Sequence, residues 1–236
     1  MAVRLTKPRT GMRLQQGASL LSAAREVDTR LVKTRLQRFE QVHKSYTGAQ
    51  RKVDAAESEL EATLARIEKL DAVQDHAVET LACALANGGQ PRKRPFAAFG
   101  APSPSKVARL PFAEEVDAVH RLVAAVLRSK GVSTETTQAA QAADKAACAV
   151  EEALAPIAKL EKTVADARRT RDAIAKVWES ALAALRRGAH VAADDGAPDL
   201  YLTLFRTPGR VTGRTKTTET TPTTDSQTPA ATPNAA

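Results

Sequence analysis

The sequence is poor in aromatic residues, which make up 3% of its 236 positions, and tryptophan occurs once. A large globular core needs bulky side chains to fill its interior, so this scarcity disfavours a compact globule. Alanine, by contrast, is abundant. Because alanine lets two helix backbones approach closely, the composition favours an elongated helical bundle or an antiparallel coiled coil.

Two further features are scarce or missing. No run of about 18 consecutive apolar residues occurs, so we predict no membrane-spanning helix. The N-terminus is charged and lacks the apolar stretch of a secretory signal, which argues for a cytoplasmic location. Cys83 and Cys148 are the two cysteines, and both fall in helical patterns, so we interpret them as buried free thiols rather than a disulfide.

Two long apolar seams dominate what is present, each with apolar residues at alternating spacings of four and three. One seam runs from Ala49 to Ala84, and the other runs from Ala139 to Leu185 with Arg171 as its one charged member. We expect Arg171 to reach water or to pair with a carboxylate of a facing helix. The predicted fold class is all-α, an elongated bundle or antiparallel coiled coil of three or four helices, with a disordered basic N-terminal arm and a Thr/Pro-rich C-terminal tail.

The two seams superpose at an offset of 90 positions, and residues 61–70 match residues 151–160 at six of ten positions. Duplication of one helical unit is one explanation of this match. Heptad constraints acting on an Ala-rich sequence are the other, and the sequence does not decide between them.

The chain divides into five predicted segments. They are a disordered basic arm (1–18), a long helix or helical hairpin (19–86), a Pro-rich basic linker (87–111), a helical hairpin (112–188) and a flexible tail (189–236). A continuous first helix is favoured over a break at Gly48. Stop or start signals set the other boundaries, and they are Asn87-Gly88-Gly89, Ser133, Pro156 and Arg186-Arg187-Gly188.

Positive charge is concentrated in acid-free segments. The arm carries Arg4, Lys7, Arg9 and Arg13, and the tail begins with four cations between Arg206 and Lys216. In the linker, the candidate polyanion-binding residues are Arg92, Lys93 and Arg94, which lie close to Phe96 and Phe99. Flexible cations beside aromatic rings are typical of single-stranded nucleic-acid binding, although a solvated basic spacer has the same composition.

A short apolar run lies in the tail between Pro198 and Pro208. We interpret it as an exposed, strand-like docking peptide that adds to the sheet edge of a partner or folds back on the bundle. Its candidate partner-docking residues are Leu200, Tyr201, Leu202, Leu204 and Phe205.

Catalytic motifs are missing, since there is no glycine-rich phosphate loop, zinc-type cysteine pairing or nucleophile elbow. A carboxylate and a histidine three positions apart can share a metal in a helical bundle. Two such pairs occur, Glu40 with His43 and Asp117 with His120, and Glu61 and Glu151 are the further carboxylates that a di-iron site would need. The pairs lie 77 positions apart, which disagrees with the offset of 90, so we predict no catalytic residue, no metal site and no cofactor.

The function predicted from these features is that of a non-enzymatic scaffold or adaptor, with a module for nucleic acid or another polyanion as the alternative. Residues 1–44 contain ten basic and three acidic side chains, whereas residues 45–86 contain four basic and eight acidic ones. Ends of opposite charge favour antiparallel or staggered pairing. A protein partner or self-association is therefore expected.

Overall fold

The computed structural model of the chain describes residues 8–205. The predicted arm residues Arg4 and Lys7 and the Thr/Pro-rich tail from Arg206 onward lie outside these residues. Between residues 8 and 205 every regular element is helical and no strand is found, which confirms the predicted all-α class.

Seven α-helices follow one another in the described part of the chain, with 3₁₀ turns at Arg30–Val32 and Ala97–Phe99. They are α1 (Pro8–Ala23), α2 (Lys33–Asn87), α3 (Pro104–Val107), α4 (Phe112–Arg128), α5 (Thr134–Leu154), α6 (Ile157–Asp194) and α7 (Pro198–Phe205). With 55 residues, α2 is about 80 Å long at a rise of 1.5 Å per residue. None of these helices has the length and apolar content needed to cross a bilayer.

The two predicted seams form the main interface of the molecule. α2 runs antiparallel to α5 and α6, and every seam position on both sides is buried or partly buried. The helix passes through Gly48 without a break, as favoured from the sequence, and an added Cβ there would meet nothing within 4 Å. Small seam residues such as Ala56 and Ala153 let the helix backbones approach closely.

The first helix breaks elsewhere, so the prediction of one helix from residue 19 to residue 86 is wrong at its start. Residues 24–32 form turns between α1 and α2. The Asp28 carboxylate accepts a hydrogen bond from the Arg30 backbone N–H at 3.0 Å and binds the Arg30 guanidinium at 2.6 Å. Such a local side-chain contact offers the backbone an alternative to helix, and apolar periodicity does not detect it.

Three other predicted segments differ from the structure. The disorder predicted for residues 1–18 is wrong from residue 8 onward, because these residues belong to α1, in which Gly17 is buried. α6 continues past Gly188 to Asp194. Gly188 is buried beneath Arg35, whose Nη1 would lie 2.5 Å from an added Cβ, so this glycine serves close packing rather than helix termination. The strand-like run at 200–205 is the helix α7, in which Leu200 and Leu204 share one buried face.

Three boundary signals are confirmed. α2 ends at Asn87, and Gly89 follows with a φ of +98°. The Ser133 hydroxyl accepts a hydrogen bond from the Thr136 N–H at 3.1 Å and caps α5. Pro156 separates α5 from α6, because its ring cannot continue a helix and lacks an N–H to donate.

The Pro-rich linker is folded against the bundle rather than extended. Phe96 is fully buried, Val107 is 1% exposed, and the segment contains both a 3₁₀ turn and α3. Anchoring by these two apolar side chains overrides the extended conformation that its prolines favour.

Buried apolar side chains form two separate clusters. The valine cluster joins α2, the linker, α4 and α5, and consists of Val78, Leu81, Ala84, Leu85, Phe96, Val107, Val116, Val119, Leu122, Val123, Val126, Ala139, Ala140, Ala143, Ala147 and Val150. The tryptophan cluster joins α1, the start of α2, the end of α6 and α7, and consists of Leu20, Val32, Phe39, Tyr46, Ala175, Trp178, Ala181, Leu185, Ala189, Ala192, Leu200 and Leu204.

A two-helix shaft connects the two clusters, formed by residues 53–70 of α2 and residues 151–168 of α5 and α6. Its buried side chains are few and lie along one line, among them Val53, Ile67 and Val164. The molecule is therefore a rod with a helical bundle at each end.

Candidate functional site

The predicted polyanion-binding residues lie in the turns that follow α2. Arg92, Lys93 and Arg94 are exposed, as are Lys106 and Arg109 farther along the same segment. Residues 88–111 contain no acidic residue, and none of the five cations forms an ion pair within the described part of the chain. The segment therefore forms an ordered basic surface at the valine-cluster end.

The predicted aromatic contribution to this surface is wrong in part. Phe96 is fully buried in the valine cluster, and Phe99 is partly buried against it. An aromatic ring must expose a face to stack on a base, so Phe96 has no such role.

The predicted docking residues divide into two groups. Leu200 and Leu204 are buried in the tryptophan cluster, so α7 folds back on the bundle. Leu202 points away from that cluster and is 65% exposed. Of the five predicted residues, Leu202 is the one that the structure shows as an exposed large apolar side chain.

The two aromatic docking residues pack against neighbours on α6. The Tyr201 ring stacks on the His190 ring with centroids 3.7 Å apart. The Arg186 guanidinium lies 5.1 Å from the centroid of the Phe205 ring, within the range of a cation–π contact. These contacts hold α7 on the end of α6.

His43 lies at the edge of the tryptophan cluster, where it is hydrogen-bonded to Trp178. Its Nδ1 accepts a hydrogen bond from the Trp178 Nε1–H at 3.2 Å, and its ring is 9% exposed. Burial lowers the pKa of His43, which favours the neutral ring that can accept this bond. Glu40 is exposed to solvent and does not share the site.

The di-iron arrangement is wrong because its two histidines lie in different parts of the rod. His43 is hydrogen-bonded to Trp178 of the tryptophan cluster, whereas His120 is on α4 beside the valine cluster. Along α2, Val78 of the valine cluster lies about 50 Å beyond His43 at 1.5 Å per residue. No single metal centre can include both histidines.

His120 instead faces a group of side chains on α5. Its Nδ1 lies 2.8 Å from the Asp144 Oδ1, and its Nε2 lies 3.7 Å from the Glu151 Oε2. Donor atoms of His120, Asp144 and Cys148 all lie within 4.8 Å of one another. Asp117, the partner expected from the sequence, is exposed. We call these four residues, His120, Asp144, Cys148 and Glu151, the histidine group.

The three members on α5 share a helix face because their spacing is four and three. Cys148 is partly buried and free, and burial together with the carboxylates of Asp144, Glu151 and Glu152 raises the pKa of its thiol. The expectation of a buried thiol is wrong for Cys83, which is free but exposed.

A second polar group is buried where α4 meets α2. Glu115 is 2% exposed, and burial raises its pKa to about 7. The Gln74 carboxamide opposes this rise, while the carboxyl groups of Asp71 and Asp75 add to it. Although Gln74 lies beside Glu115, neither of its amide atoms reaches hydrogen-bonding geometry. The sequence contains a signal for Glu115, because it shares one face with Val119, Leu122 and Val126 at spacings of four, three and four.

Arg171 lies in the seam and is 9% exposed. Its Nη2 lies 2.8 Å from the Asp172 carboxylate, which belongs to its own helix. From the facing helix, the Gln50 Oε1 accepts a hydrogen bond at 3.3 Å. The partner across the seam is therefore an amide, and the carboxylate expected there comes from α6 itself.

Comparison with known proteins gives no match. Neither a family model, a curated protein nor a solved structure matches this chain. Functional inference therefore depends on the geometry above.

Proposed function

We propose that this protein is a non-enzymatic helical scaffold that holds two differently built ends at a fixed separation. The observation that supports this proposal is the division of the apolar core into two clusters joined by a two-helix shaft. The shaft buries a single line of side chains, and so its interior offers little room for a substrate.

The apolar seam joins the helices of the shaft, and two polar contacts at and beside the shaft are consistent with its register. Arg168 forms an ion pair with Glu57 at 2.6 Å, and Arg171 donates to Gln50 close to the tryptophan cluster. α2 extends without a break from one cluster to the other. A rod with a continuous helix and a defined register keeps its two ends apart, which is what a scaffold requires.

The two ends present different chemistry. The tryptophan-cluster end carries the exposed Leu202 on α7, and the valine-cluster end carries the basic surface around Arg92. Exposed large apolar side chains in a helix favour protein partners, whereas unpaired cations favour acidic ones. We infer that a protein partner, or a second copy of the chain, binds at α7.

Site-specific photo-crosslinking tests this proposal. A photoreactive amino acid at position 202 should give adducts with protein, and mass spectrometry separates a second copy of the chain from another protein. The same group at position 64, where Leu64 is 42% exposed on the shaft, is the matched control and should give none. Absence of adducts at position 202, or the same adducts at both positions, would contradict a docking role for α7.

A second candidate function is the binding of a polyanion such as nucleic acid. The supporting observation is the ordered, acid-free segment 88–111, whose five cations have no acidic partner among the described residues. Because cations release condensed counterions from a polyanion, its affinity would fall steeply with salt.

Charge reversal tests this second function. Replacing Arg92, Lys93 and Arg94 by Glu should weaken binding to single-stranded DNA and reduce the slope of log K against log salt by about 2. The matched control has the same net charge and replaces the exposed α2 residues Arg51, Lys52 and Arg66, which lie away from the basic surface, by Glu. Equal loss in both variants, or no binding by the natural chain at low salt, would exclude the basic surface as a specific site.

A further inference from the structure

We propose that His120, Asp144 and Cys148 bind one divalent transition-metal ion of the Zn²⁺ class, which joins α4 to α5. The ligands are the His120 Nδ1, an Asp144 carboxylate oxygen and the Cys148 sulfur. A fourth coordination position is left for water.

The distances between donor atoms suit such an ion. Zn²⁺ binds nitrogen and oxygen at about 2.0–2.2 Å and sulfur at about 2.3 Å, so tetrahedral donors lie about 3.5 Å apart. In the structure the three donor atoms lie within 4.8 Å of one another, and the Nδ1 of His120 is 2.8 Å from Asp144. These separations are close to those of a tetrahedral site.

Glu151 faces the second ring nitrogen of His120, the one that does not bind the metal. The Nε2 of His120 is buried from solvent and has no hydrogen-bond partner, and the nearest carboxylate oxygen belongs to Glu151 at 3.7 Å. A metal-bound histidine usually donates its other N–H to a carboxylate, which fixes the ring and its tautomer. Metal at Nδ1 places the proton on Nε2, directed at Glu151, and so accounts for this otherwise unpaired atom.

The donor types select the class of ion. A thiolate and an imidazole favour Zn²⁺, Co²⁺ and related ions, whereas Mg²⁺ and Ca²⁺ prefer oxygen ligands alone. The surrounding charge is negative, with Asp144, Glu151 and Glu152 close to the Cys148 sulfur. Binding replaces the proton of the Cys148 thiol, so each ion bound releases one proton to solvent.

The fold holds the ligands in place before an ion arrives. Two of the ligands lie one turn apart on α5, and the third lies on α4, which packs against α5 through Val119, Val123 and Ala143 of the valine cluster. The side chains of His120 and Asp144 are 31% and 46% exposed, so an ion can reach them from solvent.

Titration of the metal-free full-length chain with Co²⁺ tests the site, because a thiolate ligand gives a sulfur-to-cobalt charge-transfer absorption. We expect one Co²⁺ per chain, displaced by Zn²⁺. Cys148→Ser should abolish the absorption, whereas Cys83→Ser, at the other free cysteine, should leave it unchanged. No absorption in the natural chain at a large excess of Co²⁺, or its loss in Cys83→Ser, would overturn the proposal.

Two further variants separate a built site from simple thiol binding. His120→Ala should weaken Co²⁺ binding at least 100-fold, and Glu151→Gln should weaken it about 10-fold while keeping the charge-transfer band, as expected of an outer-shell residue. Zn²⁺ should raise the melting temperature of the natural chain but not of His120→Ala. Unchanged affinity in His120→Ala would show that Cys148 binds metal alone and would also overturn the proposal.

Discussion

The two ends of the rod have cores made of different kinds of apolar side chains. The tryptophan cluster is built around one large ring, with Trp178 2% exposed and in contact with Phe39 and Tyr46 at centroid distances of 5.5 and 6.3 Å. The valine cluster contains mainly small aliphatic side chains, and Phe96 is its one buried ring. The first arrangement concentrates apolar area in a few large rings, and the second distributes it over many small side chains.

The two ends also differ in how one buried polar group is paired. The Trp178 ring brings an N–H into its cluster, and His43 accepts it at 3.2 Å, so the polar atom is satisfied locally. Aliphatic side chains bring no such group, and the valine-cluster end instead buries Glu115 beside Gln74 without a close hydrogen bond. A satisfied polar pair adds specificity, whereas an unsatisfied carboxyl group makes stability depend on pH.

Truncation of the largest ring should have the greatest effect and should reveal whether the two ends unfold together. Trp178→Ala removes the centre of the tryptophan cluster and is expected to cost about 3–5 kcal/mol in the free energy of unfolding. Hydrogen exchange should show protection lost in α1, α7 and the adjoining ends of α2 and α6, with the valine cluster still protected.

Leu122→Ala, at a site 1% exposed in the valine cluster, is the control for Trp178→Ala and should give the opposite pattern. Equal loss of protection at both ends in either variant would show that the rod is a single cooperative unit.

Glu115→Gln should remove most of a pH dependence that belongs to the valine-cluster end. The carboxyl group is protonated in both states below its ordinary pKa of 4.5, and between 4.5 and about 7 the unfolded chain loses a proton that the folded chain retains. Stability therefore falls as pH rises through this window, by about 3 kcal/mol. Urea unfolding at several pH values measures the fall.

In Glu115→Gln the amide does not titrate, and the remaining fall comes from Asp71, whose pKa is also raised by burial and by Asp75. Glu114→Gln, at the exposed neighbouring position, should keep the natural profile. A pH profile for Glu115→Gln that matches the natural one would contradict the assignment.

Replacing either of two glycines of α1 by alanine should change the stability of the tryptophan-cluster end, in opposite directions for the two positions. A Cβ at Gly17 would lie 2.3 Å from the His43 ring, so Gly17→Ala should push α1 away from α2 and cost about 1–3 kcal/mol. Gly11 has nothing within 4 Å of its would-be Cβ, and Gly11→Ala should stabilise by up to about 1 kcal/mol. Chemical denaturation compares them, and equal effects would contradict the close packing of α1.

The smallest expected effect lies in the shaft between the ends. The Arg168 and Glu57 side chains are 55% and 28% exposed, so water screens their ion pair. A double-mutant cycle with Arg168→Ala and Glu57→Ala should give a coupling below about 1 kcal/mol, decreasing with salt. A coupling above about 2 kcal/mol would mean that the shaft is held by charge rather than by its seam.

The seams were predictable because they depend on periodicity alone. Ile67 and Val164 are buried for the reason that the sequence indicates, namely their place at spacings of four and three. α1 and α7 were not predictable in this way. In the sequence, Gly17 indicates irregular chain, whereas in the structure it makes room for the His43 ring. The run at 200–205 is too short to show a helical period, and its helix is explained by the burial of Leu200 and Leu204 in the tryptophan cluster.

Only the α5 part of the histidine group can be predicted from the sequence. Asp144, Cys148 and Glu151 show the spacing of a single helix face, and this much could have been noted. Which residue of another helix faces them depends on how α4 packs on α5. That register is set by the valine cluster and not by any local pattern, and the sequence spacing alone pairs His120 with Asp117.

The interruption at Pro156 affects one of the two helices of the rod, and α2 runs past it unbroken. The contacts Glu57–Arg168 and Ala84–Thr136 define the antiparallel register of the two sides. In that register Pro156 lies opposite the region around Ile67. α2 thus keeps the rod straight at the level where α5 ends and α6 begins. A proline placed near Ile67 would interrupt both sides of the rod at the same level. The rod would then bend at that level, and the distance between its two ends would no longer be fixed.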